Sequence, residues 1–340
     1  VQRNLLERIA TLPKLTGILP YLGWMADEGM YVLDQCAFGD KPGLSLGFCI
    51  ETVPQTGSNE EMERVLASLF MSCPAGTGIQ ISLYASPHIL PSLREQANML
   101  PVDEARSGEG ESNRNRNIYR VLGRRRIDHY LKGAGKSLFS HHVYLLRDYR
   151  CVIAISMPLD PESPADVEEA IRIKESTHAT LRSAHMPGWD WGPESLLNFV
   201  ADFFDHERVL GQPAERHIEY DSSRSLRSQL SNPEIASAVA DTFIKYRKEG
   251  GAETALQCFS VRQYPKYYRL GNMGSLIGDY YQMALAIPCP FLITMGAILL
   301  DYESARSKAL IKAARATQAA GSYMSHFQPD LQDRKRDWDM

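Results

Sequence analysis

Between Met30 and Leu83 the apolar pattern changes period twice, and this switch limits the possible folds more than any other feature of the chain. Met30 to Asp34 and Leu44 to Val53 read as two strands, joined by a turn at Gly39-Asp40-Lys41-Pro42-Gly43. Ser58-Asn59-Glu60-Glu61 then forms a capping box, in which the Ser58 hydroxyl accepts from the backbone N–H three residues on and Glu61 reaches back. Met62, Val65, Leu66, Leu69 and Phe70 follow at helical spacing, and Pro74 and Gly76 end the helix. Ile79, Ile81 and Leu83 alternate with Gln80 and Ser82, as in a half-buried strand. Strand, strand, helix, strand predicts an α/β (α+β) fold, with mixed sheet layers and helices packed on one face.

The same reading extends down the chain. Residues 101–117 are polar and lack periodicity, which predicts an exposed loop or linker. A helix over Ile118 to Lys132 and a strand over Val143 to Met157 follow. Ser163-Pro164 places an N-cap before a proline suited to the first helical position, opening a helix to about Ala184. Trp189 and Trp191 lie in a short loop before a helix over Glu194 to Asp205, whose Leu196, Leu197, Val200, Phe203 and Phe204 face a core. A further helix over Asn232 to Lys248, strands over Ala255 to Arg262 and Phe291 to Leu300, and a last helix over Tyr302 to Ala320 complete the pattern. The expected division is an α/β part over residues 1–100, the linker 101–117, a second α/β part over 118–301 and a C-terminal helix with a connecting segment over 302–340.

Eighteen uncharged residues from Met283 to Leu300 approach the length of a membrane-spanning helix. Pro288 and Pro290 interrupt the first half, so a core strand is expected instead. The 340 residues suffice for a sizeable core without disulfides. The 44% hydrophobic and 9% aromatic content excludes a disordered chain. Six scattered cysteines (Cys36, Cys49, Cys73, Cys151, Cys258, Cys289) with no Cys-x-x-Cys pair read as free and buried, in a reducing compartment. Val1 in place of an initiating Met, and the charged stretch Arg334 to Met340, are expected to be internal positions of a longer protein.

Few residues suggest chemistry. Gly133-Ala134-Gly135-Lys136-Ser137 has the end of a phosphate-binding loop, but the glycine required five residues upstream is Tyr130, and a basic helix stands where a strand should. Gly135, Lys136 and Ser137 are therefore read as a false phosphate loop, with Gly133, just past Lys132, as a helix C-cap, and no cofactor is expected in this stretch. A nucleotide-dependent enzyme using Gly133 to Ser137 is the alternative. From Glu111 to Arg150 there are ten Lys/Arg against three acids, whereas residues 1–110 hold seven against thirteen. Arg114, Arg116, Arg120, Arg124, Arg125 and Arg126 thus form a candidate partner-binding segment for anionic lipid, nucleic acid or an acidic protein. The net charge of −4 argues against a chain devoted to nucleic acid, so direct nucleic-acid binding is not expected. The nine histidines form no metal-ligand pattern: His141 and His142 are adjacent and point to opposite faces of a strand, and His206-Glu207 lacks a second histidine. Neither a catalytic residue nor a metal site is expected.

One set of residues carries a resemblance. Leu19-Pro20-Tyr21, Trp24, Gly29-Met30-Tyr31, the run Leu46-Gly47-Phe48-Cys49-Ile50-Glu51-Thr52-Val53-Pro54, then Gly76-Thr77-Gly78-Ile79-Gln80 and Leu83-Tyr84-Ala85-Ser86-Pro87 resemble the N-terminal region of TraC-type ATPases, the assembly ATPases of conjugative type IV secretion systems. The Gly-Phe-x-x-Glu-x-x-Pro segment is its most specific part, and the likeness continues through Tyr149-Arg150-Cys151-Val152 to Cys289-Pro290-Phe291-Leu292. The resemblance implies a non-catalytic docking and oligomerisation domain in bacterial DNA transfer and pilus assembly, encoded on a plasmid or integrative element. It implies a place in the cytoplasm, peripheral at the inner membrane, against a small inner-membrane component and other parts of the machine, with self-association. ATP and Mg would belong to a RecA-like motor domain, with complete Walker A and B motifs, that follows in that family.

Overall fold

A computed structural model describes residues 19–35, 42–54, 60–90, 92–93, 118–140, 145–204, 218–230, 235–240, 242–248, 253–260 and 287–320. Its elements are β1 (Tyr21–Met25), β2 (Met30–Gln35), β3 (Pro42–Thr52), α1 (Glu60–Met71), β4 (Gly78–Ser86), α2 (Ile118–Gly135), β5 (Asp148–Met157), α3 (Pro164–Ser183), β6 (Gly188–Asp190), α4 (Pro193–Phe204), α5 (Leu226–Gln229), β7 (Ile235–Val239), β8 (Ile244–Lys248), β9 (Glu253–Leu256), β10 (Phe291–Ile298) and α6 (Tyr302–Ala320). The alternating apolar runs of the first ninety residues become strands β2 to β4, and the helical stripe between them becomes α1. The capping residues Ser58 and Asn59 lie outside the described residues, as do Cys36, His141 and His142.

The main sheet is antiparallel throughout, in the order β1-β2-β3-β5-β4-β10, with β6 joined to β3. Strand β5 enters between β3 and β4, from Leu46↔Met157 on one side to Ser86↔Asp148 on the other. The regions before and after residues 101–117 therefore share one sheet. Because β5 occupies one edge of β3, the short β6 pairs on the β2 side, at Ile50↔Asp190, just beyond the last β2 partner, Gly47.

Alternation along the strands makes two cores. Met30, Leu46, Phe48, Ile50, Ile153, Ile155 and Met157 pack beneath Leu69 of α1 and Ala170, Ile173 and Leu181 of α3. Tyr31, Leu33, Cys49 and Val152 point the other way, against Trp191, Leu196 and Leu197 at the start of α4 and Leu226 of α5. Helices thus cover both faces, not one as expected. Trp191 N–H bonds to the Cys49 carbonyl at 2.9 Å, so the chain passes over the β3 edge and delivers α4 to the second face. Each fully buried Leu or Ile stabilises such a core by about 1.5–3 kcal/mol relative to exposure. Ser163 caps α3 as expected, its side chain accepting from the Asp166 N–H ahead of Pro164.

Three expectations are corrected. Asn232 to Lys248 is not a helix: β7 and β8 pair antiparallel from Ile235↔Lys248 to Val239↔Ile244, and β9 adds a third strand. The alanines favour a helix locally, but pairing with β9 supplies cross-strand partners for Ile244, Tyr246 and Arg247 and overrides that preference. The strand expected over Ala255 to Arg262 is correspondingly shorter, β9 ending at Leu256. The apolar run near Phe291 is a strand, but β10 is an edge and not a core strand. It pairs with β4 from Phe291↔Ala85 to Ile298↔Gly78, and Ile293, Met295 and Ile298 are exposed. Among the described residues no helix is long and apolar enough to cross a membrane.

Candidate functional site

Gly133 to Ser137 sits at the C-terminal end of α2, and the helix runs to Gly135, past the cap expected at Gly133. The Lys136 N–H continues the ladder to the Lys132 carbonyl at 2.9 Å. The Leu146 N–H donates to the Gly133 carbonyl at 2.8 Å, and Arg147 Nη1 donates to the Ala134 carbonyl at 2.8 Å. The free groups of this helix end are carbonyls, those of Lys132, Gly133 and Ala134 already met by donors, and the local dipole is negative. A phosphate needs the opposite polarity, the N–H groups of a helix start. The Ser137 hydroxyl is engaged with the backbone of Phe139, accepting its N–H at 3.2 Å. These residues do not fit the phosphates of ATP. Gly133 has its own reason to be glycine, since a Cβ there would come within 2.8 Å of Leu146 and 2.9 Å of Leu138.

Of the basic segment, Arg114 and Arg116 lie outside the described residues, and Arg120 falls in the first turn of α2. Arg124, Arg125 and Arg126 are exposed on successive helix positions, with Lys132 and Lys136 exposed beyond them. Leu122 and Leu131 are exposed among these cations. Arg124, Arg125 and Arg126 form no ion pair among the described residues.

Polar chemistry that sequence reasoning missed lies on the second face of the sheet. Glu51 of β3 is 7% exposed. It accepts Nε–H and Nη2–H of Arg150 at 2.7 and 2.6 Å, and the Trp191 indole N–H at 2.6 Å. The Arg150 guanidinium also lies 5.3 Å from the Trp191 ring centre. Burial acts to lower the Arg150 pKa, but the bonded Glu51 carboxylate outweighs it and holds the guanidinium above its ordinary value. The neighbouring Cys49 thiol is pushed up to about 12 by burial, and Cys151 is raised by burial and by Glu51. These thiols are poor nucleophiles in this setting. Cys258 and Cys289 are exposed, so the expectation of buried cysteines holds fully only for Cys49 among the described ones. The sequence signal was one acid interrupting the apolar run Leu46 to Val53.

The motif Gly47-Phe48-x-x-Glu51 has a structural account for each member. A Cβ at Gly47 would come within 2.9 Å of the Ile155 carbonyl, Phe48 fills the first core, and Glu51 holds Arg150 and Trp191. A second cluster ties α3 to the β1–β2 turn. Lys174 Nζ donates to the Gly29 carbonyl at 2.9 Å and pairs with Asp190 at 2.8 Å, and His178 Nε2 is 2.6 Å from the same carboxylate. Partial burial acts to raise the Asp190 pKa, but Lys174 and His178 outweigh it and hold the carboxyl below its ordinary value. No group of three His, Cys, Asp or Glu among the described residues could hold a metal ion. A cavity of about 50 Å³ over Gly47, lined by Tyr21, Tyr31 and Gln80, is far below the ~300 Å³ of the smallest usual ligand sites.

The comparisons with known proteins converge. The family described as TraC protein matches residues 15–340. Protein TraC of Escherichia coli (strain K12) is 21% identical over 96% of this chain, which spans 36% of that relative's length. With the family match extending over both parts of the sheet, α2 and α6, the chain belongs to the TraC protein family and is a TraC-type conjugation protein.

Proposed function

We propose that this chain is a non-catalytic docking and oligomerisation region of a conjugative type IV secretion ATPase, holding a motor at the cytoplasmic face of the inner membrane. The observation that carries the reading is the polarity of Gly133 to Ser137, the one segment resembling a phosphate loop: it offers capped carbonyls where phosphates require N–H groups. Family membership and the 36% share of the relative support a region of a larger machine rather than a complete motor. In this reading ATP and Mg are handled elsewhere in the full-length protein. The small inner-membrane component and further copies of the protein are its partners, and contact with the membrane is peripheral.

Isothermal titration of the 340-residue chain with Mg-ATP tests the absence of catalysis. No saturable binding and no phosphate release are expected; micromolar affinity abolished by Lys136→Ala would overturn the reading in favour of a nucleotide-dependent enzyme. Size exclusion with light scattering, alone and with the small inner-membrane component, tests docking. A complex of defined mass is expected, and a chain that stays monomeric and unbound in both runs would overturn it.

A further inference from the structure

The basic side chains of α2, from mid-helix Arg124 to Lys136 just past its end, are used by none of the contacts described above. Arg124, Arg125, Arg126, Lys132 and Lys136 present five exposed cations within thirteen residues, and Asp128 is the only acid among them. The bond from Leu146 to Gly133 and that from Arg147 to Ala134 anchor this helix end beside the first residue of β5. Asp148 of β5 pairs with Ser86, the last residue of β4, and Phe291, the first of β10, pairs with Ala85. Arg147 and the start of β10 therefore share one end of the main sheet. At that same end Pro288 and Cys289 are exposed, and Phe139 is 43% exposed just beyond α2.

We infer that this end of the sheet is a membrane-contact surface for anionic phospholipid, with the α2 cations on the headgroups and the neighbouring apolar side chains at the headgroup–acyl boundary. The inference rests on the reading of the chain as a region seated at the inner membrane, and names what that seat touches. Charge complementarity selects a negatively charged partner. Apolar groups interleaved with the cations select a bilayer over a nucleic acid: Leu122 and Leu131 have nothing to gain from a phosphodiester backbone, whereas an interfacial helix combines both kinds of contact. Nor, among the described side chains of α2, is there an exposed aromatic series on which bases would stack, since Tyr130 is half-buried beside His129.

Co-sedimentation of the 340-residue chain with vesicles tests this. Binding to phosphatidylcholine vesicles containing 30% phosphatidylglycerol should exceed binding to pure phosphatidylcholine at least tenfold, and should weaken in 0.5 M salt. At about fivefold per surface charge, the triple variant Arg124→Gln/Arg125→Gln/Arg126→Gln should bind the anionic vesicles about 100-fold more weakly. Arg172→Gln, an exposed arginine on α3, should bind as the parent chain does. Unchanged ellipticity and melting temperature keep the triple variant interpretable, because all three side chains are exposed. Equal affinity for neutral and anionic vesicles, or retention of binding by the triple variant, would overturn the inference. So would salt-sensitive binding of a 20-nucleotide DNA with none to vesicles. Association with cell membranes that persists in the triple variant would leave docking through a protein partner standing and remove the lipid contact. Loss of the protein complex with vesicle binding intact would remove the docking reading instead.

Discussion

The chain keeps arginine in two opposite settings. Arg150 lies inside the sheet layer, bidentate to Glu51 and stacked near Trp191, whereas Arg124, Arg125 and Arg126 stand in solvent on α2. The first setting is closed: the Arg150 charge is matched by Glu51 through two hydrogen bonds, and the same carboxylate takes the Trp191 indole N–H. The second is open, and its charge is unpaired among the described residues. A matched pair with a buried carboxylate constrains how strands and loops meet; an exposed, unmatched cluster is free to meet something else. The difference separates residues that hold this TraC-family fold from residues available for assembly.

The largest effect should come from breaking the closed setting. Glu51→Ala removes the acceptor of both Arg150 and Trp191 and should cost about 3 kcal/mol in urea unfolding, the part-exposed Arg150 being partly solvated once unpaired. A loss below about 1 kcal/mol would show that the network is not a structural lock. Next, the same truncation placed in both regions sharpens the contrast. Leu197→Ala, at a side chain 1% exposed, should cost about 3 kcal/mol, and Leu310→Ala, at one 62% exposed, less than about 0.5 kcal/mol. Equal costs would mean that α6 is packed as tightly as α4.

A smaller effect should appear with pH. The folded-state pKa of Asp190 lies below the ordinary carboxylate value, so its contribution is complete above about pH 4 and is lost as pH falls through the folded pKa. With 42% of the side chain exposed, solvent screening holds the contribution to about 0.5 kcal/mol. Asp190→Asn should flatten that part of the stability curve between pH 5 and 3; an unchanged acid limb would assign it to other carboxylates. Smallest of all, neutralising Arg124, Arg125 and Arg126 should move stability by less than about 0.5 kcal/mol, because these exposed side chains have no partner among the described residues. A larger loss in thermal melts would place them in the closed class.

Local pattern carried much of the fold. The period-two runs at Met30 and Leu44 became β2 and β3, and Ser163-Pro164 opened α3 where the cap chemistry required. The core assignments of Leu196 and Leu197 agree with their burial, while Val200, Phe203 and Phe204 are only half-buried. The candidate site was less legible. Arg124 to Arg126 stood out by charge, but whether they were paired depends on elements far along the chain. Glu51 could be noticed as an acid in an apolar strand, yet its partners lie 99 and 140 residues away. The hairpin of β7 and β8 was misread because its alanines favour a helix locally, whereas pairing across β7, β8 and β9 decides the outcome.

The sequence by itself determined the placement of most strands and helices, the run of cations on α2 and the family to which the chain belongs. Periodicity, caps and prolines act through neighbours within a turn or two, so they can be read in order along the chain. Only the tertiary structure decided that β5 enters between β3 and β4, that α4 covers the second face and that β10 is an exposed edge. It alone joined Glu51 to Arg150 and Trp191, and it alone supplied the donors, Leu146 and Arg147, that meet the Gly133 and Ala134 carbonyls at the helix end read from the sequence. Those outcomes depend on contacts between residues distant in the chain, where burial and hydrogen-bond satisfaction, rather than local preference, set the energy.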